Sequence, residues 1–242
     1  VGSEMCIRDM GEPIGAYISR TRLQTSAKMI RYSSLAIQEI AYHVGYDTPS
    51  SLSKAFKNHF NISPSEYRNN KSLTFNNTIP MKTTLNLKKP KIQEIENMQC
   101  LYYRIQGAYQ TLDYAIAWKK LWEQIKVQKL FTKGIQMIGL PHDDPSVSNE
   151  NKIRYDACLI IHKSAEPTED IGVKTLHGGK FGVFLHQGSY KFFAEVYNYM
   201  FNEWLLNSNY ELRDEPVRER YISNPERVAE EKLKTEFYIP IK

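Results

Sequence analysis

Glu219 is the residue whose type and setting carry the most chemistry. It lies in the alternating stretch Val217, Glu219, Tyr221, which as a β-strand would give it same-side neighbours that are apolar or aromatic. A carboxylate turned inward among aromatic rings attracts an organic cation through its charge and the ring quadrupoles together. The alternative is a surface glutamate paired with Arg218 or Arg220. Aromatic side chains crowd this half of the chain and most must be core. From among them we expect Tyr109, Tyr155, Phe184, Tyr190, Trp204 and Tyr221 to share a pocket with Glu219. Were that pocket catalytic, Glu219 would be a general acid or base with a pKa raised by burial.

Other polar clusters promise less. His142, Asp143, Asp144 and Pro145 resemble a divalent-metal patch, but such a cluster beside proline reads better as a turn whose side chains bond the local backbone. His142, His162, His177 and His186 have no ligand spacing. Cys6, Cys100 and Cys158 are an odd number at wide intervals, which indicates neither a disulfide frame nor a zinc site. We therefore expect no metal, no cofactor and a reducing cytoplasm.

An internal repeat positions the aromatic residues. Gln106-Gly107-Ala108-Tyr109 recurs as Gln187-Gly188-Ser189-Tyr190, and helical stretches ending in Trp122 and Trp204 follow. KIRYDACLII, from Lys152, lies over KLKTEFYIPI, from Lys232, and carries Asp156 onto Glu236. Alternation marks strands at Leu101, Tyr103, Ile105, at Val183, Leu185, at Tyr155, Cys158, Ile160 and at Phe237, Ile239, Ile241. The spacing predicts a β-α-β-β unit made twice. One sheet face of each copy would lie under its helix while the other face meets the twin, leaving a ligand cleft between them.

The first quarter has a different period. Ile14, Tyr17, Ile18, Leu23, Ala27 and Ile30 recur at helical intervals with Arg20, Arg22, Lys28 and Arg31 largely between them. A second helix over Ala36 to Val44 stops at Gly45, suited to a left-handed C-cap. Asp47 or Thr48 can then cap a third, with Pro49 in its first turn. Leu52, Ala55, Phe56 and Phe60 would form its buried side, and Ser50, Ser51, Ser53, Lys54, Lys57 and Asn58 its polar front. Ser63-Pro64-Ser65-Glu66 is a capping box that opens a short fourth helix. Two short helices about a glycine turn, the second fronted by hydroxyl, amide and ammonium groups, suit the major groove of double-stranded DNA. The alternative is a helical hairpin with a solvated polar face.

The run IQEIAYHVGYDTPSSLSKAFKNHFNISPSEYR, Ile37 to Arg68, resembles the second helix-turn-helix of AraC/XylS-type regulators. Gly15 to Ala27 resembles the helix linking that family's two such units. The resemblance implies that Ser50, Ser51 and Lys54 face bases and Lys57 the DNA backbone. Ser53 and Asn58, with Arg20 and Arg31 of the long helix, complete the expected DNA-contacting set. About ten residues precede that helix, so we expect one reading head rather than two and correspondingly weak binding. The segment from Ile92 to Ile241 resembles the GyrI-like, or multidrug-regulator effector-binding, domain. The motifs that carry this are Arg104-Ile105-Gln106-Gly107, Gly139-Leu140-Pro141-His142-Asp143, Arg154-Tyr155-Asp156 and Pro216-x-x-Glu219-x-Tyr221. By that resemblance Glu219 is the polar anchor of a pocket for a small molecule. Stand-alone proteins of this kind include hydrolases.

Composition fits these expectations. The 242 residues are 41% hydrophobic and 12% aromatic, enough for a real core, with a net charge of +5. Between Gly11 and Lys71 stand eight basic and four acidic residues, so the excess is concentrated where DNA is expected. No stretch is apolar for long enough to span a membrane. We expect residues 1–10, whose VGSEMCIRD run resembles a translated adapter scar, to be non-native or disordered. Residues 11–70 would form the linker helix and helix-turn-helix, 71–90 a linker and 91–242 the α+β effector domain. The expected protein is a DNA-binding regulator answering to a small amphipathic or cationic effector, and not an enzyme. The alternative is a small-molecule hydrolase or drug-sequestering protein with vestigial N-terminal helices.

Overall fold

The helical period of the first quarter becomes four helices: α1 (Ile14–Tyr32), α2 (Ile37–His43), α3 (Pro49–Phe60) and α4 (Pro64–Asn69). The computed structural model describes residues 14–70, 85–145, 148 and 150–242. The expectations for residues 1–10 and for most of the linker fall outside this set. By its internal contacts the chain divides into two units, residues 1–78 with 144–152 and residues 79–143 with 153–242.

Local signals set the limits of the helices in the first unit. Glu39 accepts the Ala36 N–H at 2.6 Å and opens α2. At its end Tyr46 N–H reaches the Ala41 carbonyl at 2.8 Å around Gly45, whose φ of +91° belongs to the left-handed region. Thr48, rather than Asp47, caps α3, its Oγ1 accepting the Ser51 N–H at 3.2 Å with Pro49 next in line. Ser63 and Glu66 exchange backbone and side-chain hydrogen bonds as a capping box for α4. Leu23, Ala27 and Ile30 of α1 close over Ile40, Ala41, Leu52, Phe56 and Tyr67 to form a single buried core.

The second unit is an α+β domain whose eight antiparallel strands curl as a half-barrel. The strands are β1 (Lys91–Ile95), β2 (Met98–Gln106), β3 (Met137–Pro141), β4 (Arg154–Ile161), β5 (Gly172–Leu176), β6 (Gly179–Gln187), β7 (Arg218–Tyr221) and β8 (Lys234–Pro240). Helix α5 (Tyr114–Val127) follows β2. Helix α6 (Phe193–Asn198) follows β6 and continues into a π-helical turn, Tyr199–Trp204. The order across the sheet is β1-β6-β8-β7-β3-β4-β2-β5.

This corrects the expected repeat in two ways. Each copy has a leading strand, making it β-β-α-β-β, and that strand leaves its own copy: β1 pairs with β6, and β5 with β2. The copies also share one sheet, joined edge to edge through β3 and β7, instead of meeting face to face. Edge pairing satisfies the backbone groups that two separate small sheets would leave open. The repeat persists in detail. Gly107 N–H donates to the Ile153 carbonyl and Gly188 N–H to the Leu233 carbonyl, both at 2.9 Å. Their φ angles are +143° and +147°.

Because side chains alternate across the sheet, Leu101, Tyr155, Ala157, Leu159 and Ile161 pack under Ala117, Leu121 and Ile125 of α5. Register places Ala157, Gly139, Glu219, Phe237 and Phe184 in one row across five strands on that same face. Glu219 therefore sits at the seam between the copies. A side chain at Gly188 would need a backbone conformation that L-residues rarely adopt. Gly188→Ala is expected to lower stability by about 1–3 kcal/mol, measured as a shifted midpoint in urea unfolding.

Candidate functional site

Glu219 is 5% exposed and both its oxygens are held by phenols. Tyr197 donates to Oε1 at 2.8 Å and Tyr221 to Oε2 at 2.6 Å. The Tyr155 hydroxyl lies 2.9 Å from that of Tyr221, and since Tyr221 gives its proton to the carboxylate, Tyr155 is the donor in this second link. Around the chain Tyr155 → Tyr221 → Glu219 stand further rings. Tyr114 meets Tyr155 edge-on at 4.9 Å between centroids, and Trp118 and Tyr190 meet Tyr221 at 5.9 and 5.6 Å.

Alternation sends the neighbouring arginines away. Arg218 bonds the His177 carbonyl and Glu215, and Arg220 pairs with Glu236 at 3.1 Å, all on the other face. The reading of Glu219 as a surface partner of Arg218 or Arg220 is thereby corrected. Among the described residues Glu219 forms no ion pair. Burial pushes its carboxyl above the ordinary range, against the lowering effect of the Tyr221 and Tyr197 hydrogen bonds. Burial, and then the charge of Glu219, push the phenols of Tyr155, Tyr197 and Tyr221 upward in turn.

The expected lining residues divide by place. Tyr155, Tyr190 and Tyr221 are gathered about Glu219. Tyr109 is near, but its hydroxyl donates to the Asp143 carbonyl at 2.8 Å and fastens the turn after β3. Phe184 and Trp204 meet each other edge-on at 5.1 Å, and Trp204 stacks on Tyr210. Three residues outside the expected set complete the cluster: Tyr197 from α6, and Tyr114 and Trp118 from α5. A fourth is Gly139, where an added Cβ would stand 2.1 Å from the Tyr155 hydroxyl. The bare backbone there lets the Tyr155 phenol cross β3 to reach Tyr221.

The described side-chain bonds of the His-Asp-Asp-Pro segment run across to β4 rather than to its own backbone. Asp143 accepts the Arg154 backbone N–H at 2.8 Å and its guanidinium at 2.7 and 2.9 Å. Asp156 accepts from Arg104, His142 and Lys174. Burial opposes the charge of Asp156, but those hydrogen bonds hold its carboxyl far below the usual range. Among the described residues no group of three His, Cys, Asp or Glu side chains could hold a metal ion.

On α3, Ser50, Ser51, Lys54, Lys57 and Asn58 are exposed and Ser53 is half-buried, opposite the buried Leu52 and Phe56. Thr48 Oγ1 lies 3.0 and 2.8 Å from the hydroxyls of Ser50 and Ser51, which holds both at the start of the helix. Arg20 bonds Gln24 at 3.3 Å. Arg31 is placed differently from the α3 side chains. Its guanidinium lies 4.3 Å from the Tyr67 ring centroid and donates to the Asn70 carbonyl at 3.0 Å, tying α1 to the end of α4.

Residues 88–242 match the GyrI-like small molecule binding domain, well over half of the chain. The chain belongs to the GyrI-like family. Residues 3–70 match a helix-turn-helix domain of AraC type, so this GyrI-like protein pairs the two. It is 30% identical over 138 residues to YosT of Bacillus subtilis, a prophage-derived protein named as a transcriptional regulator, covering 56% of this chain and 89% of YosT. Its fold is similar to that of EcmrR in a complex with DNA, at a TM-score of 0.55 and 14% identity, over the whole of this chain and 81% of that one. It is also similar to a hydrolase from Listeria innocua, at 0.50 and 14%, over 64% and 92%. Among the described residues no helix is long and apolar enough to cross a membrane.

The close approach at Gly139 yields a direct test. Gly139→Ala should displace the Tyr155 ring and break the phenol chain while leaving the sheet folded. The expected readout is altered tyrosine absorbance and near-UV dichroism with unchanged far-UV dichroism.

Proposed function

We propose that the protein is a cytoplasmic, sequence-specific DNA-binding regulator whose second unit binds a small organic cation or amphipathic molecule at Glu219. The observation that carries this reading is a buried carboxylate, at the seam of two sheet halves, held by phenols and, among the described residues, without a counter-charge. Such a group costs free energy to keep ionised, and an arriving cation among aromatic rings offsets that cost. Tyr155, Tyr190, Tyr221, Trp118 and Tyr197 supply those rings. For DNA, Ser50, Ser51, Lys54, Lys57 and Asn58 on α3 form the reading face. Arg20 stands on the long helix beside it, and the internal contacts of Arg31 give it a positioning role.

The likeness to a hydrolase and the raised carboxyl of Glu219 favour one other reading, proton transfer to a bound ester or strained ring. Incubating the protein with a bound candidate ligand separates the two, since a sensor releases its ligand unaltered.

Cation binding should depend on pH in a defined sense. Glu219 holds its proton at pH values above the unperturbed 4.5, so affinity for a lipophilic cation should fall as the pH drops through a midpoint higher than that. Calorimetry should show this dependence vanish in Glu219→Gln, with affinity at neutral pH reduced on the order of tenfold, about 1.4 kcal/mol. An affinity unchanged in that variant would refute the assignment. For the DNA face, Lys54→Ala should weaken binding to duplexes of any sequence. It should also lower the slope of log affinity against log salt by about 1 in fluorescence anisotropy titrations.

A further inference from the structure

The end of β6 borders a cavity that the Glu219 site does not use. Its volume is about 410 Å³, and Leu85, Asn86, His186, Lys191, Glu230 and Glu231 are among its lining residues. Small-molecule sites commonly enclose about 300–1,000 Å³. One wall is the chain that leads into β1, held against β6 where Asn86 accepts the Gln187 N–H at 2.9 Å and Lys88 donates to the Leu185 carbonyl at 3.0 Å. Another is the turn after β6, and a third is the short 3-10 turn Glu230–Lys232 before β8.

His186 is 1% exposed, yet its Nδ1 has no hydrogen-bond partner. The Ser189 carbonyl lies 3.4 Å from Nε2, which places the ring proton on that nitrogen. Burial lowers the ring's pKa, against the opposing pull of the Ser189 and Asn86 carbonyls, so the ring is neutral and Nδ1 is an open acceptor. Thr235, opposite His186 in register, does not fill it, because its own hydroxyl is buried without a partner. A buried acceptor left open costs free energy that an arriving donor offsets. The fold itself asks for no polar group here. In the first copy of the repeat Ile105 and Ala108 stand where the second has His186 and Ser189, and the glycines between them make the same backbone bond in both.

Charge around the cavity selects the other end of a ligand. Lys191 pairs with Glu230 at 3.3 Å, and Ser189 Oγ donates to the same carboxylate at 2.5 Å. Glu231 forms no ion pair among the described residues, so two carboxylates face one ammonium and the described lining is net negative. We propose that this cavity is a second small-molecule site, for an amino alcohol or amino sugar, in which a ligand hydroxyl donates to His186 Nδ1 and the ligand ammonium meets Glu230 and Glu231. A hydroxyl suits the buried end because it donates without carrying charge out of water. An ammonium suits the exposed carboxylates, which stay solvated as they pair. The site stands independently of the Glu219 reading, since the Glu219 oxygens already accept from phenols whereas His186 Nδ1 is open.

The test titrates the full chain with glucosamine by calorimetry, using glucose, which lacks the ammonium, and cyclohexylamine, which lacks the hydroxyls, as comparators. The expected result is one glucosamine bound per chain, with either comparator at least tenfold weaker. His186→Ile, which copies Ile105 of the first repeat, should lower glucosamine affinity at least tenfold, and Glu231→Gln should lower it severalfold. Glu219→Gln should leave it unchanged, which keeps this site apart from the proposed sensor site. Should His186→Ile fail to fold by far-UV dichroism, the exposed Glu231→Gln variant and the two comparators still decide. The assignment is overturned by the absence of saturable glucosamine binding, by equal binding of either comparator, by undiminished affinity in folded His186→Ile or in Glu231→Gln, or by loss of binding in Glu219→Gln.

Discussion

The second unit is organised around an ionisable carboxylate that, among the described residues, it buries without a cation. Hydrogen bonds from neutral donors to a charged group contribute about 1.5–3 kcal/mol each, and Glu219 has two, from Tyr197 and Tyr221. They satisfy its lone pairs and leave its charge unbalanced, which is why burial still raises its carboxyl. Everything near it answers to that condition. Tyr155 supports Tyr221 from β4, α5 supplies Tyr114 and Trp118, and Gly139 withholds a side chain so that the Tyr155 phenol can pass.

The duplicated architecture explains why this group stands at a seam. Each copy offers one edge, β3 or β7, and pairing them gives a continuous sheet whose centre belongs to neither copy. Exchange of the leading strands ties the copies a second time at the outer edges. The two β-turns that follow those leading strands also meet, where Asn97 accepts the Gly178 N–H at 2.7 Å. The seam is thus clamped at the middle and at both ends of the sheet. Phenols from β7 and α6 can then be held within hydrogen-bond distance of one carboxylate, with a third from β4 bonded to the β7 phenol.

How much of this was legible depended on the range of the signal. Caps are local, so Gly45, Thr48, Pro49 and the Ser63–Glu66 box marked the helices of the first unit within a residue or two. The repeat could be read because its motifs are written twice. The leading strands could not: β1 is almost wholly exposed, and its partner β6 begins more than eighty residues on, so no local alternation announces it. Glu219 was visible through alternation within β7. Tyr197 and Trp118 were not, because their approach to the site depends on where α6 and α5 dock. Arg31 shows the opposite limit. A basic residue on an amphipathic helix suggests a phosphate, and only the fold reveals Tyr67 and the Asn70 carbonyl as its partners.

Alternation in β7 also makes the register of the sheet an electrostatic matter. Arg218, Glu219 and Arg220 are consecutive, and the pleat sends the carboxylate to the helix-covered face and both guanidiniums to the other. There Arg220 finds Glu236, and Arg218 finds Glu215 and the His177 carbonyl. A slip of one residue would exchange these sets. Two guanidiniums would then face Tyr155, Phe237 and the α5 aromatics without acceptors, while Glu219 would join the face that holds Glu236 and Asp156. Both outcomes bury uncompensated charge, so the pattern that leaves one carboxylate unbalanced beneath the helices is also the pattern that forbids the neighbouring register.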